Sequence, residues 1–272
     1  MLADVPPPRK HFINTKKSFR MAKPLYVAIS TQKGGAGKTT LTAVLASYLY
    51  FVKGIDLIAI DCDYPQYNLA DLRERDYLLA EKSRKINEIV FRTWKARNGA
   101  AYTIERSTPE DALTLAEVYA ESENPPKIIF FDLPGTVNND HVIATISKMD
   151  YVFCPVTTDP MVMESSVAFA NIVQNNLIST GQAAIKGFYM LWNKVPSRER
   201  DSLQTLCEQF VGRLGISVLD SVLPDSTKFR KEGQGEKRFS VFRSTILPPD
   251  RISLKGSGIE AVAEEITGIM GI

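Results

Sequence analysis

Ser30-Thr31-Gln32-Lys33-Gly34-Gly35-Ala36-Gly37-Lys38-Thr39-Thr40 decides how this chain is read. The segment follows an apolar run at residues 25–30 and opens a helical pattern over 39–50. Glycines at 34, 35 and 37 give the backbone conformations closed to other residues, so successive N–H groups can converge on phosphate oxygens. A helix opening near Thr39 adds the positive end of its dipole. Lys38 is placed for the β- and γ-phosphates and the Thr39 hydroxyl for Mg²⁺, with Ala36 and Thr40 completing the cradle. The strict phosphate-loop pattern has glycine at position 32, where Gln32 stands. A second lysine, Lys33, precedes the paired glycines instead.

Outward from this loop, apolar runs at 57–60, 128–131, 151–156, 188–192 and 216–219 alternate with amphipathic candidates at 39–50, 112–119, 161–177 and 200–214. Near-continuous apolar runs are what strands buried on both faces of a parallel sheet require. The alternation predicts an α/β fold, a doubly wound and mostly parallel sheet with helices on both faces and ligands at the carboxyl ends of its strands. Residues 73–124 read as mostly helical, with a short strand near 102–104. Residues 24–272 are expected to form a single phosphate-loop ATPase domain.

Two further motifs fall at such strand ends. Asp61 and Asp63 in Ile60-Asp61-Cys62-Asp63-Tyr64-Pro65-Gln66 stand one strand–helix unit after the loop, where one carboxylate can reach a Mg²⁺ shell and the other can orient water. Asp132 ends the run Lys127-Ile128-Ile129-Phe130-Phe131 and opens Asp132-Leu133-Pro134-Gly135-Thr136. An apolar strand ending in Asp suits a carboxylate that holds Mg²⁺ through water, and Gly135 can lend a backbone N–H to the γ-phosphate.

Lys33-Gly34-Gly35-x-Gly37-Lys38-Thr39-Thr40 resembles the deviant Walker A loop of the ParA/MinD-type ATPases. The resemblance spans about residues 24–272 and keeps the family's motif order. It implies ATP and Mg²⁺ as cofactors, ATP hydrolysis, and an ATP-sandwich homodimer in which Lys33 reaches the partner's phosphates. It also implies that Asp63 positions the attacking water and that Asp61 supports the Mg²⁺ shell. Tyr64 interrupts the family's D-x-D-P-Q pattern, which leaves the role of Gln66 open. Asn193, in Trp192-Asn193-Lys194-Val195, resembles the family's base-reading asparagine, and Pro224, in Leu223-Pro224-Asp225-Ser226, the loop closing over the base. A turn-forming Asn and an ordinary proline turn are the plain alternatives. Phrases around Ser30–Gly35 and Asp61–Gln66 are similar to ParA-like TraA proteins of conjugative transposons. The resemblance further implies an activating partner protein and, through a basic surface, DNA held without sequence preference. Candidate contacts are Lys228, Arg230, Lys231, Lys237, Arg238 and Arg243, interleaved with Phe229, Phe239 and Phe242. A solvated loop and helix is the alternative there.

Charge and composition limit the rest. Of 33 basic and 31 acidic residues, Arg9, Lys10, Lys16, Lys17, Arg20, Lys23 and Asp4 lie in residues 1–23, leaving 27 against 30 in the body. With Pro6-Pro7-Pro8, the tail reads as a disordered basic segment or as an extension ahead of a start at Met21. Cys62, Cys154 and Cys207 lie far apart in apolar segments and read as buried thiols of a cytoplasmic protein. They do not fit the dimer-bridging cluster ligands of a nitrogenase-type reductase. Asp159-Pro160 reads as a helix cap or as a dimer-interface segment. The last stretch, 256–272, puts Ile259, Val262, Ala263, Ile266, Ile269 and Met270 on one helical face with Glu260, Glu264 and Glu265 on another. An acidic end is expected to pack on the core and not to anchor to a membrane, unlike the basic anchors of MinD proteins.

Overall fold

The computed structural model describes residues 22–135, 140–181, 183–196, 202–230 and 241–272, without the side chains of Ser202, Leu203 and Arg230. The elements run β1 (Leu25–Ile29), α1 (Lys38–Phe51), β2 (Leu57–Asp61), α2 (Asn68–Lys82), α3 (Arg84–Lys95), β3 (Thr103–Arg106), α4 (Ala112–Ala120), β4 (Ile128–Asp132), α5 (Asp140–Ile146), β5 (Tyr151–Val156), α6 (Pro160–Ile172), β6 (Gly187–Trp192), α7 (Ser202–Arg213), β7 (Ser217–Val218), α8 (Arg251–Leu254) and α9 (Ile259–Met270). The strands form a seven-stranded sheet in the order β3-β2-β4-β1-β5-β6-β7. Every pairing is parallel. This is the expected doubly wound α/β architecture.

Alternation along each strand divides the core between two faces of the sheet. Val27, Ile29, Leu57, Ala59, Ile128 and Phe130 enter one apolar cluster with α1 and α9. Ala28, Ile58, Ile60, Ile129 and Phe131 enter the other, with α6 and α7. Because both faces are covered, β2 and β4 are buried at every residue, which is why Leu57-Ile58-Ala59-Ile60 and Ile128-Ile129-Phe130-Phe131 carry no polar alternation.

Several elements differ from their sequence reading. Helix α1 is not amphipathic: each residue from Leu41 to Tyr50 is buried, because α2 and α9 cover the sides the sheet leaves open. Helix α6 stops at Ile172 and continues as a π-helical turn, Val173–Ile178. Strand β7 is only two residues long, with Ile216 and Leu219 buried beside it. At the C-terminus, α9 buries Ile259, Val262, Ala263, Ile266 and Met270, so the acidic end does pack on the core.

An arm at residues 241–247 crosses α1 and α2. Phe242 is fully buried and meets Phe229 edge to face, centroids 5.0 Å apart. Buried Asp76 accepts hydrogen bonds through Oδ2 from the Ser244 hydroxyl (3.1 Å), the Thr245 N–H (2.6 Å) and the Thr245 hydroxyl (2.7 Å). Ser47 Oγ donates to the Ser244 carbonyl at 2.5 Å, Arg73 Nη2 to the Thr245 carbonyl at 3.1 Å and Trp94 Nε1 to the Ile246 carbonyl at 3.0 Å. Satisfied donors and acceptors of this kind fix a segment that has no ladder of its own.

Candidate functional site

Strands β1, β2 and β4 lie side by side, so the three segments that follow them share one crevice. The loop after β1 turns through Gly35 (φ +87°) and Gly37 (φ +91°), both in the left-handed region. Gly37 is also sterically fixed, since a Cβ there would lie 2.7 Å from Asn193 Nδ2. Leu41 N–H donates back to the Gly37 carbonyl at 2.9 Å. The N–H groups of Lys38, Thr39 and Thr40, ahead of it in α1, therefore face the loop without intrahelical acceptors. Such a cradle attracts anions.

Gly135, after β4, closes the opposite wall. A Cβ there would come within 3.0 Å of Lys38 Nζ and 3.5 Å of Gly34 N. A side chain there would crowd the Lys38 ammonium, and backbone so near the loop is what a γ-phosphate contact needs. Lys33 lies half-exposed on the same loop.

Asp61 and Asp132 are register partners at the ends of β2 and β4, and both are 0% exposed. They do different work. Asp61 Oδ2 accepts from Leu69 N and Ala70 N, each at 2.9 Å, and Oδ1 from Asp63 N at 3.2 Å. It thus caps α2 from a distance, in place of Tyr67 at the N-cap position (φ +45°), which makes no side-chain cap. Its oxygens are taken by backbone, and it bears on the crevice through its charge. Asp132 Oδ1 lies 3.4 Å from the Thr42 hydroxyl, while Oδ2 is buried with no hydrogen-bond partner. Burial pushes the Asp132 carboxyl up to about 7; Asp61 adds to the rise, and the Thr39 hydroxyl and Lys38 ammonium oppose it. An orphaned carboxylate oxygen beside a threonine hydroxyl fits a hydrated Mg²⁺, which takes few protein ligands and keeps several waters. Asp132 and Thr39 would hold that ion.

Asp63 stands on the loop beyond β2, its Oδ2 3.3 Å from Asn68 Nδ2, which also contacts Gln66 Oε1 at 3.3 Å. Tyr64 is 63% exposed and meets Tyr67 edge to face, so the extra residue bulges outward and leaves Asp63 beside the crevice.

Asn193 follows β6 and is 4% exposed. Its Nδ2 donates to the Ala36 carbonyl at 2.7 Å and its Oδ1 accepts from Lys194 N at 2.9 Å. Both ends of the amide thus grip the protein and brace the back of the phosphate loop. Pro224 lies next to it: Val195 bridges Pro224, and Val195 N donates to the Leu223 carbonyl at 3.1 Å. Lys194, absent from the sequence-based site, takes a left-handed backbone (φ +57°) and donates from Nζ to the Gly35 carbonyl at 2.6 Å. Its signal in the sequence was a cation directly after a strand-end asparagine.

Of the six candidate cations in the basic stretch, Lys228 and Arg243 have described side chains. Lys228 Nζ is tied to the Lys255 carbonyl at 2.7 Å. Arg243 is half-buried, with Nη1 3.3 Å from Thr40 Oγ1 in the first turn of α1. The anchored arm carries it there. Lys231, Lys237, Arg238 and the Arg230 side chain lie outside the described residues. Asp159 caps α6, accepting through Oδ1 from Met161 N (2.9 Å) and Val162 N (3.1 Å). All three cysteines are free and buried. Among the described residues no helix is long and apolar enough to cross a membrane.

Known proteins share this fold. The model of the CobQ/CobB/MinD/ParA nucleotide-binding domain matches residues 27–239. MinD of Pyrococcus horikoshii OT3, solved with Mg-ADP, is 18% identical and superposes with a TM-score of 0.58 over 91% of this chain and 98% of its own. A point variant of McdA from Cyanothece, solved with ATP, is 16% identical with a TM-score of 0.59, covering 93% and 98%. The pnob8 ParA structure is 14% identical with a TM-score of 0.59, covering 91% and 99%. No curated protein sequence matches the chain. At these identities the superpositions speak for the fold, and the domain match, over most of the chain, speaks for descent. With the loop, the strand-end carboxylates and the sheet order in place, this chain belongs to the CobQ/CobB/MinD/ParA nucleotide-binding family.

Proposed function

We propose that this protein hydrolyses ATP as a Mg²⁺-dependent switch whose ATP form is a homodimer. One observation carries the reading: Lys38 and Gly135 close on one another across a loop that also carries Lys33. That geometry would let a γ-phosphate be sensed from two walls, with a second, half-exposed cation on the same loop. Lys38 and the N–H groups of the loop hold the phosphates, while Thr39 and Asp132 hold the hydrated ion. Asp63 orients a water whose oxygen bonds to the γ-phosphorus as the bond to the bridging oxygen breaks, giving ADP and phosphate. Lys33 of the partner subunit offsets the charge that develops, as an arginine finger does. Asn193 and Pro224 flank the base. A partner protein is expected to speed turnover, and the dimer is expected to hold DNA without sequence preference, in partition, positioning or conjugative transfer. Such binding would weaken steeply with salt.

The test is the mass of the protein with ADP and with Mg²⁺·ATP, using Asp63→Ala to slow turnover and Lys33→Ala as control, followed by DNA binding at two salt concentrations. An ATP-dependent dimer that Lys33→Ala abolishes supports the switch. A monomer in both states would overturn it, and ATP-dependent dimers without turnover in the wild type would make the protein a nucleotide-gated scaffold.

A further inference from the structure

We propose that Arg243 is a binding residue of the nucleotide site, holding the phosphate that joins the nucleoside. The inference rests on the nucleotide-binding reading above and adds a residue that the loop motif does not contain. Helix α1 presents its first turn to the site in a fixed order. Lys38 lies against Gly135 at the terminal-phosphate end, with the closest approach to its Nζ at 3.0 Å from a Cβ built on Gly135. The Thr39 hydroxyl lies beside the Asp132 carboxylate. Thr40 follows in the chain and is not among the groups closest to Gly135, and it is Thr40 whose hydroxyl Arg243 Nη1 reaches at 3.3 Å. The hydroxyl accepts from Arg243, so its own proton is available to a phosphate oxygen. A planar guanidinium beside it supplies the forked donor set that phosphate oxygens favour.

The arm has anchors besides Arg243. Phe242 is fully buried, and Ser244, Thr245 and Ile246 are pinned by Ser47, Asp76, Arg73 and Trp94. The anchors on both sides fix the backbone, and the side chain between them is directed at the phosphate loop. A guanidinium added to the positive start of α1 concentrates positive potential where the polyphosphate meets the nucleoside.

Calorimetric titration with MgATP and with MgADP, beside thermal melts of the nucleotide-free protein, tests this on the full chain with Arg243→Ala, Arg243→Lys and Lys38→Ala. Arg243→Ala is expected to weaken both nucleotides by the same factor, about 10- to 100-fold, because the phosphate concerned is common to both. Arg243→Lys is expected to lose less, and both variants should melt within about 2 °C of the wild type without nucleotide. Unchanged affinities, or a loss confined to ATP, would overturn the assignment. So would a lowered melting point in Arg243→Ala that Arg243→Lys restores while affinity stays at the wild-type level. If the wild type binds neither nucleotide, the nucleotide reading falls as well. Binding that Lys38→Ala loses and Arg243→Ala keeps would sink the Arg243 inference alone.

Discussion

Asp132 offers the sharpest physical test of a site built to receive an ion. In the metal-free protein its carboxyl is raised from 3.8 to about 7, first by burial and then by Asp61. The folded chain therefore keeps a proton that the unfolded chain has released. Stability from this group is full below pH 3.8, falls as pH rises through the window up to about 7, and then levels off. A gap of about 3 pH units at about 1.4 kcal/mol each sets a ceiling of about 4 kcal/mol above pH 8. Asp132→Asn keeps the shape and cannot ionise, so it should be more stable than the wild type at pH 8.5, by about 2–4 kcal/mol, and nearly equal to it at pH 4. For a chain of this size that is a melting difference of roughly 4–12 °C. Scanning calorimetry of both proteins from pH 4 to 8.5 in chelator reads it. Adding Mg²⁺·ADP should stabilise the wild type and leave Asp132→Asn nearly unmoved, reversing the order. A variant less stable than the wild type at pH 8.5, or a difference that ignores pH, would refute the argument that an uncompensated carboxylate waits there for a cation.

Other perturbations follow from the same geometry. Gly37→Ala places a Cβ 2.7 Å from the Asn193 amide at φ +91°, so it should lower stability by about 2–3 kcal/mol and abolish the melting-point rise with nucleotide, both visible in one thermal scan. Asp76→Ala strands the hydroxyls of Ser244 and Thr245 and the Thr245 N–H, which should cost about 3–5 kcal/mol in urea unfolding. A cost under about 1 kcal/mol there would mean that the arm is not held as described. Asn193→Ala frees the Ala36 carbonyl, and if bracing the loop is its main work, ATP and GTP should both weaken about tenfold. Competition between the two nucleotides checks this, since a selective gain of GTP would instead mark Asn193 as a reader of the base.

The local sequence determined a good deal by itself. Glycines at 35 and 37 take the left-handed backbone that turns the loop, and the short apolar run Ile128–Phe131, bounded by polar residues, reads as a strand covered on both sides. Asp132 at the end of such a strand has one direction open to it. These are short-range facts, set by sterics and by the periods of helix and strand, and so they were legible without coordinates. Tertiary structure decided the rest, because burial and hydrogen-bond partners depend on what distant segments bring. Asp61 and Asp132 look alike in sequence, yet backbone N–H groups of α2 and of Asp63 take up the oxygens of one and nothing in the described chain satisfies Oδ2 of the other. Helix α1 lost its polar face because α9, from the far end of the chain, covers it. Arg243 read as one cation in a basic surface stretch until the anchors of Asp76 and Ser47 placed it at Thr40, a contact 203 residues apart in the chain that no local pattern encodes.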